Sequence, residues 1–241
     1  MTLYICGNSH VRALRAGMQA LEDQVSEPVE VFPLGTADNE AQPFSTIENG
    51  QVVLTNNRFR SKLTKNFGFT SFQPDHRWGI CLGTHNARLF RNEGWLTAAP
   101  AWLNLPGMQP VTTEAFDQMV ATDQAHIRAF FDQLLETGVH PFVIAAPWPV
   151  RNHPIMSETG VRPDIVQAID ERARALFTTW LAEREIDIIA PPPGTKDDGG
   201  FLKEDYAKGG DDPYHGNFPY GKLMMAKVLS EQLGLQITEN V

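Results

Sequence analysis

The stretch Leu3-Tyr4-Ile5-Cys6-Gly7-Asn8-Ser9-His10 decides how the rest of the chain is interpreted. Its first four residues favour a β-strand, and the glycine and short polar residues after them favour a tight turn. A helical pattern begins directly at Val11. The stretch therefore predicts a strand, a turn and a helix, with Ser9 at the helix N-terminus. Backbone N–H groups and the helix dipole would stabilise an anion there, although Asn8 or Ser9 acting only as a helix cap is the alternative.

A second stretch, Gly210-Asp211-Asp212-Pro213-Tyr214-His215-Gly216-Asn217, precedes an amphipathic run from Tyr220 to Leu233. Asp212 and His215 lie three positions apart in a Gly/Pro-rich segment, so a loop there can fold the carboxylate back onto the imidazole. A serine hydroxyl is a weak nucleophile until a histidine accepts its proton, and a carboxylate fixes the histidine tautomer. The two ends of the chain thus supply a candidate base, its carboxylate partner and a nucleophile.

Gly7-Asn8-Ser9-His10 after the first strand and Asp212-x-x-His215 before the last helix resemble the SGNH (GDSL-type) hydrolase and acyltransferase superfamily. The resemblance implies that Ser9 is the nucleophile, His215 the base and Asp212 its partner. The superfamily usually has aspartate at the second position of the first block. Here Asn8 replaces it with another short side chain that can hydrogen bond locally.

The resemblance also implies an oxyanion hole, with Ser9 as one contributor and the backbone N–H of Gly35, after the second strand, as another. A turn glycine is an equally good interpretation of Gly35. The superfamily has a G-x-N-D block after the third strand, where this chain has Gly83-Thr84-His85-Asn86. His85 aligns with the block's asparagine without a gap, and Asn86 does so with one residue of slack. Either side chain can donate a hydrogen bond, so the sequence does not choose between them.

Strand and helix patterns alternate along the chain and predict an α/β fold with helices on both faces of a parallel sheet. The resemblance implies the same flavodoxin-like, doubly wound sheet, with strand order 2-1-3-4-5, in a single domain spanning residues 1–241. In such a sheet ligands bind beyond the carboxyl ends of the strands, so Trp148, after the fourth strand, is predicted to line the substrate pocket. The strand candidates after the first are Val29–Gly35, Trp78–Leu82, Phe142–Ala146 and Ile186–Ala190, and helices are predicted from Val11 to about Asp23, from Thr113 to about Thr137 and from Pro163 to about Glu185.

Three segments are expected to decorate this core. Asn49-Gly50 lies between the apolar runs of Ile47–Leu54 and predicts a small β-hairpin insertion outside the main sheet, on the rim of the active site. Arg58, Arg60, Lys62 and Lys65 would share one face of an extended segment, either as solvated surface or as a site for a substrate carboxylate or phosphate. The Gly-rich segment 194–217 is predicted to be a long loop that delivers His215.

Composition limits the function classes. The 241 residues carry a formal net charge of −9, which argues against nucleic-acid binding because phosphate neutralisation needs concentrated Lys and Arg. We find no signal-peptide or membrane-span pattern and expect no membrane partner and a cytoplasmic location. Cys6 and Cys81 fall in strand candidates and are interpreted as buried, reduced thiols.

Other classes fit less well. A metal hydrolase could use Asp211, Asp212 and His215 with His85 or His153, but no HxH or HExxH spacing occurs. A dinucleotide-binding loop is absent, because the first turn lacks a G-x-G-x-x-G pattern. We expect a serine esterase without metal or cofactor, which removes a short acyl group from a sugar or another small polar ester through an acyl-enzyme at Ser9. An acyltransferase of the same fold and a catalytically silent binding module are the alternatives.

Overall fold

A five-stranded parallel sheet forms the centre of the computed structural model, which describes residues 2–236; Met1 and residues 237–241 of the predicted domain lie outside the described range. The strands are, in chain order, β1 (Leu3–Gly7), β2 (Val29–Pro33), β3 (Ser45–Glu48), β4 (Gln51–Leu54), β5 (Arg77–Cys81), β6 (Ala98–Pro100), β7 (Gln109–Val111), β8 (Phe142–Ile144), β9 (Ile188–Ile189), β10 (Ala207–Gly209) and β11 (Asp212–Gly216). The helices are α1 (Val11–Gln19), α2 (Asn57–Phe67), α3 (Ala87–Phe90), α4 (Thr113–Asp123), α5 (Ala125–Glu136), α6 (Pro154–Ser157), α7 (Pro163–Ala182) and α8 (Phe218–Leu233).

The order of the main sheet is β2-β1-β5-β8-β9, which confirms the predicted order 2-1-3-4-5. All four neighbouring pairs are parallel. Gly7 at the end of β1 pairs with Pro33 of β2 and Cys81 of β5, so these three strands end at the same edge. The turn that carries Ser9 therefore lies beside the loops after β2 and β5.

The two faces of the sheet are covered by different helices. Leu3 and Ile5 of β1 lie in one apolar cluster with residues of α1 and α8, whereas Cys6 lies in a second cluster with residues of α5 and α7. Successive residues of a strand point to opposite faces, so this near-continuous apolar strand is buried on both sides. The doubly wound α/β architecture is thus confirmed.

The Asn49-Gly50 hairpin is also confirmed. Strands β3 and β4 pair antiparallel outside the main sheet, and both turn residues have positive φ, 52° and 75°. Such a turn matches the twist of a two-residue hairpin, which explains the strength of the Asn-Gly signal. Val52 and Leu54 face inward into the core, so the hairpin is anchored rather than free.

The prediction of one helix over residues 113–137 is wrong in one respect, because two helices, α4 and α5, meet at Gln124. The side chain of Gln124 is buried and donates a hydrogen bond to the carbonyl of Gly83 (3.2 Å). The break thus coincides with an inward polar contact to a distant loop, and because it does not change the hydrophobic period, the pattern alone does not show it.

Two other local predictions are corrected by the structure. The cationic run lies on helix α2 rather than on an extended segment, because Asn56 caps the helix by accepting from the backbone N–H groups of Arg58 and Phe59. The predicted loop over 194–217 contains the antiparallel pair β10–β11, with Gly209 and Gly210 at positive φ. His215 is therefore held on a strand and not on an irregular loop.

Both cysteines are buried and reduced, and burial raises the pKa of each thiol. No helix within residues 2–236 is long and apolar enough to cross a membrane.

Candidate active site

Ser9 lies in the tight connection between β1 and α1. A side chain on Gly7 would bring a Cβ within 2.3 Å of the carbonyl oxygen of Cys81, so only glycine allows β1 and β5 to approach this closely. The Asn8 side chain accepts a hydrogen bond from the backbone N–H of His10 (3.2 Å), which fixes the turn. Ser9 is left half-buried immediately before the helix.

His215 brings the distant end of the chain to Ser9. The Nε2 atom of His215 lies 2.7 Å from the Ser9 hydroxyl, and its Nδ1 atom lies 2.6 Å from Oδ1 of Asp212. The structure thus brings the three predicted triad residues together in the order nucleophile, base, carboxylate. Asp211 is exposed, in contrast to the half-buried Asp212.

The carboxylate of Asp212 has several hydrogen-bond donors. Lys208 donates to Oδ2 (2.8 Å), and the backbone N–H of Tyr214 donates to Oδ1 (3.3 Å). Partial burial raises the pKa of Asp212, but the hydrogen bonds from Lys208 and His215 outweigh it and bring the pKa down to about 2. Asp212 is therefore ionised at neutral pH and can hold a proton on Nδ1 of His215, which leaves Nε2 free to accept the serine proton.

Two further imidazoles lie beside the base. The ring of His10 is 4.7 Å from that of His215 and 4.3 Å from that of His85. Burial, followed by the neighbouring His85 and His215, lowers the pKa of His10 well below its usual value, and burial lowers that of His85 to about 3. Both rings are neutral at pH 7. His10 was assigned no role from sequence, because nothing in its spacing marks a buried ring.

The structure distinguishes the two side-chain candidates for the oxyanion hole. The Asn86 amide donates to Oδ1 of Asp170 (2.9 Å), which Arg174 also binds through Oδ2 (2.7 Å), and at longer distances to the carbonyls of Thr84 (3.4 Å) and Asp170 (3.5 Å), so its N–H groups already have acceptors. The ring of His85 instead lies in the imidazole cluster, and within the described range its Nδ1 atom has no hydrogen-bond partner. The part of either side chain in an oxyanion hole remains a prediction.

Gly35 follows β2, where the prediction placed it. An added Cβ would come within 2.1 Å of the Phe59 ring on α2, so packing alone already requires a glycine here. The backbone N–H of its neighbour Leu34 donates to the carbonyl of Gly7 (2.7 Å), which joins this loop to the Ser9 turn. The part of Gly35 in an oxyanion hole remains a prediction.

A buried carboxyl group beneath the turn was missed by the sequence analysis. Glu40 is 1% exposed, its Oε2 atom lies 3.8 Å from Arg88, and within residues 2–236 its Oε1 atom has no hydrogen-bond partner, although the nearby Asn8 side chain favours its ionised form. Burial raises its pKa to about 8, against the opposing effects of Arg88 and Asn8. An aspartate at position 8 would set two carboxyl groups against each other in a buried site. This proximity gives a physical reason for asparagine at position 8. The reason is visible only in the structure, because Glu40 and Asn8 lie far apart in the sequence.

Trp148 lines a small cavity whose wall includes Pro213 and Tyr214, the two residues before His215, and its place in a substrate pocket remains a prediction. The cavity has a volume of only about 10 Å³, room for about one water molecule, and is bounded by His85, Phe90, Trp148, His153, Arg174 and Tyr214, among others. The guanidinium of Arg174 lies 5.0 Å from the centroid of the indole ring, and the ammonium of Lys196 lies 4.5 Å from it. Among residues 2–236 no group of three or more metal-ligating side chains comes together.

Comparisons with known proteins support the fold. No protein-family model and no curated protein matches the sequence. The structure is similar to that of a protein assigned to the lipolytic G-D-S-L family of Desulfitobacterium hafniense DCB-2, with a TM-score of 0.50, 14% identity and coverage of 94% of this chain and 97% of that one.

Two more distant similarities have TM-scores just below that value. One is to an acetyl xylan esterase, AlAXEase (0.48, 10% identity, 96% of this chain and 100% of that one). The other is to the periplasmic domain of a lipopolysaccharide acetyltransferase of Salmonella ser. Paratyphi A (0.49, 12% identity, 96% and 83%). Of the three similarities, the one to the G-D-S-L family protein shows that the chain shares the fold of that protein.

Proposed function

We propose that this protein is a serine esterase that removes a short acyl group from a small polar ester through an acyl-enzyme at Ser9. The observation that carries the proposal is the continuous contact from the Ser9 hydroxyl through His215 to Asp212, with separations of 2.7 and 2.6 Å. A silent binding module would have no need of a base held in this position by an ionised carboxylate.

The geometry supports a two-step reaction. His215 Nε2 accepts the hydroxyl proton as Ser9 Oγ bonds to the ester carbonyl carbon, and the imidazolium then gives that proton to the departing alcohol oxygen as its bond to the acyl carbon breaks. A water molecule, deprotonated by His215, next attacks the acyl carbon. The Ser9–acyl bond breaks and the proton returns to Ser9, which releases the carboxylic acid.

The oxygen that becomes negative in each step needs hydrogen-bond donors. The proposed donors are the backbone N–H groups of Ser9 and Gly35 together with a side chain of the Gly83–Asn86 block, for which His85, whose Nδ1 atom has no partner within residues 2–236, is the better candidate. Loss of one such donor typically costs on the order of 3 kcal/mol of transition-state stabilisation.

A fluorophosphonate probe tests the nucleophile directly. We expect intact-mass analysis to show a single adduct on the wild-type protein and none on Ser9→Ala, because within residues 2–236 Ser9 is the serine whose hydroxyl lies within hydrogen-bond reach of a histidine. Asn8→Ser is the control. The serine that it introduces is not expected to act as a second nucleophile, so this variant should also show a single adduct. Labelling of Ser9→Ala would remove Ser9 from the mechanism.

Hydrolysis and acyl transfer share the acyl-enzyme and differ in what attacks it. The proposal requires release of acetate from a short-chain aryl ester in water alone. If turnover in water is absent and acylated product forms only when a polyol is added, the transferase replaces the esterase as the function of this site.

A further inference from the structure

The ring of His10 lies between the base of the candidate triad and a candidate oxyanion donor. Its centroid is 4.7 Å from that of His215 and 4.3 Å from that of His85. Aromatic rings that pack together typically have centroids about 4.5–7 Å apart, so His10 is in contact with both imidazoles. Only 4% of His10 is exposed, and the protein therefore encloses its ring.

His10 meets its neighbours through ring contacts and not through hydrogen bonds. Neither Nδ1 nor Nε2 of His10 has a hydrogen-bond partner within residues 2–236, and both atoms are buried. Burial lowers the pKa of this ring well below its usual value. His85, His215 and Arg174 add to the effect, so the ring is neutral at pH 7. His10 therefore offers the base the surface of an uncharged ring, which adds no repulsion when His215 becomes an imidazolium.

The base needs such a surface during the reaction. In the free protein, hydrogen bonds to Asp212 (2.6 Å) and Ser9 (2.7 Å) hold the two ring nitrogens of His215. The second bond is lost in the acyl-enzyme, because the esterified Ser9 oxygen has no proton to donate. Nε2 must still be directed at the attacking water. Within residues 2–236 the other ring contact of His215 is with Tyr214, whose ring is farther away at 6.4 Å.

The turn that carries the nucleophile also carries the His10 ring. The backbone N–H of His10 donates to the Asn8 side chain (3.2 Å), and its carbonyl accepts from the backbone N–H of Ala13 in α1 (3.2 Å). His10 also follows Ser9 directly in the chain. The surface that supports the base and the hydroxyl that the base must reach thus belong to one hydrogen-bonded piece of backbone.

We propose that His10 is a positioning residue for the base. Its ring holds His215 so that Nε2 points at the Ser9 oxygen in the free enzyme and at the attacking water in the acyl-enzyme. The inference rests on the proposed function and adds to it a residue that acts through the base.

The kinetic test uses p-nitrophenyl acetate, a short-chain aryl ester. We expect His10→Ala to lower kcat about 10–100-fold, because a reacting group displaced by about 1 Å loses rate on this scale. His10→Phe keeps a flat ring at this position and should retain most of the wild-type kcat. Urea unfolding measures the stability of both variants. A His10→Phe protein as stable as wild type and as slow as His10→Ala would overturn the role of the ring contact.

A double-mutant cycle shows whether the effect passes through the base. His215→Ala should still hydrolyse the ester faster than buffer does, and adding His10→Ala should slow it no further, because the ring that His10 positions is gone. Equal losses from His10→Ala in both backgrounds would overturn the proposal. Met18→Ala, which removes another buried side chain from α1, is the matched control and should lower stability without lowering kcat.

Nuclear magnetic resonance separates this inference from catalysis. In ¹⁵N-labelled protein, the ring nitrogens of His215 are those whose signals disappear in His215→Gln. We expect one tautomer in wild type, with the proton on Nδ1 facing Asp212, and ¹⁵N shifts averaged between two tautomers in His10→Ala. This change in a protein without esterase activity would remove the proposed function and keep the role of His10. A single tautomer that persists in His10→Ala would overturn that role.

Discussion

Asp212 stands between two cationic or cation-forming side chains. One of its oxygens faces Lys208 and the other faces His215, so the carboxylate is both stabilised as an anion and fixed in orientation. The fixed orientation matters more for the reaction, because it determines which ring nitrogen of His215 carries the proton.

The first prediction concerns this carboxylate. Asp212→Asn should lower kcat for a short-chain ester by on the order of 10³–10⁴-fold, because an amide can stabilise the wrong tautomer of His215 and cannot balance the imidazolium charge. Ester hydrolysis and far-UV circular dichroism of the purified variants measure activity and fold together.

Asp211→Asn is the matched control, since Asp211 is adjacent in sequence but exposed. It should retain wild-type activity. Equal losses in the two variants would mean that the effect comes from the charge of the segment and not from contact with His215.

At the level of single residues, the sequence identified those whose chemistry is visible without contacts. Ser9, Asp212 and His215 were recognised from the blocks that carry them, and the structure brings them together. Glu40 and His10 were not, and His153 was considered only as a metal ligand, because the significance of all three comes from burial and from neighbours far away in the chain. A lone Glu or His has no pattern that distinguishes a buried ring or carboxyl from an exposed one.

At the level of elements, helices α1 and α8 hold the two halves of the candidate site together. Ser9 precedes α1 by two residues, and His215 precedes α8 by three. The helices touch through glycines, since an added Cβ would lie 2.2 Å from the carbonyl carbon of Gly221 if placed on Gly17, and 1.9 Å from the carbonyl oxygen of Ala13 if placed on Gly221. Their separation therefore sets the distance between nucleophile and base.

Our second prediction is that Gly221→Ala destabilises the protein by about 1–3 kcal/mol and also lowers kcat. The methyl group meets backbone rather than a flexible side chain, so α8 must move away from α1 and carry the segment that precedes it. Urea unfolding measures the free energy of unfolding, and ester hydrolysis under native conditions measures kcat.

Gly17→Ala should have the same two effects, whereas Gly194→Ala has no heavy atom within 4 Å of the new Cβ and should have neither. A stable Gly221→Ala with wild-type kcat would show that the helices can separate without disturbing the site.

The prediction of a helix or strand was correct where local chemistry determines the element, and wrong where contacts with distant residues determine it. The Asn49-Gly50 turn requires positive φ, which few other residue pairs adopt, so this pair was enough to predict the hairpin. The break between α4 and α5 lies at Gln124, whose side chain reaches Gly83. The segment with the β10–β11 pair is held by hydrogen bonds from the Asn217 side chain to the carbonyls of Asp205 and Ala207. Neither contact leaves a trace in hydrophobic periodicity.

At the scale of the whole molecule, several titratable groups in and around the candidate site are buried. We expect them to determine how the free energy of unfolding changes with pH. Burial lowers the pKa of His10, that of His85 to about 3 and that of His153 to about 4. The unfolded chain takes up these protons near pH 6.5 while the folded protein does not, so stability falls as pH decreases below that value. Glu40 acts in the opposite direction.

The carboxyl group of Glu40 has a pKa raised to about 8 in the folded protein, from an ordinary value near 4.5. The folded state keeps this proton when the unfolded state has lost it, so the contribution of Glu40 is complete below about pH 4.5 and is lost as pH rises toward 8. Arg88 and Asn8 favour the ionised form, and Asp38 and Asp123 oppose it, without reversing the direction.

Together these groups predict that the free energy of unfolding is greatest near pH 6.5. Each group changes it by at most about 1.4 kcal/mol per pH unit, so three histidines against one carboxyl give an acid limb of up to about 2.7 kcal/mol per unit and a shallower alkaline limb of up to about 1.4. Urea unfolding between pH 4.5 and 8 measures both. Glu40→Gln should flatten the alkaline limb alone, His153→Asn should reduce only the acid limb, and the exposed His140→Asn should alter neither. An alkaline limb that persists in Glu40→Gln would mean that this carboxyl is ionised in the folded protein at neutral pH. In that case the amide of Asn8 and the guanidinium of Arg88 stabilise its charge more than burial opposes it.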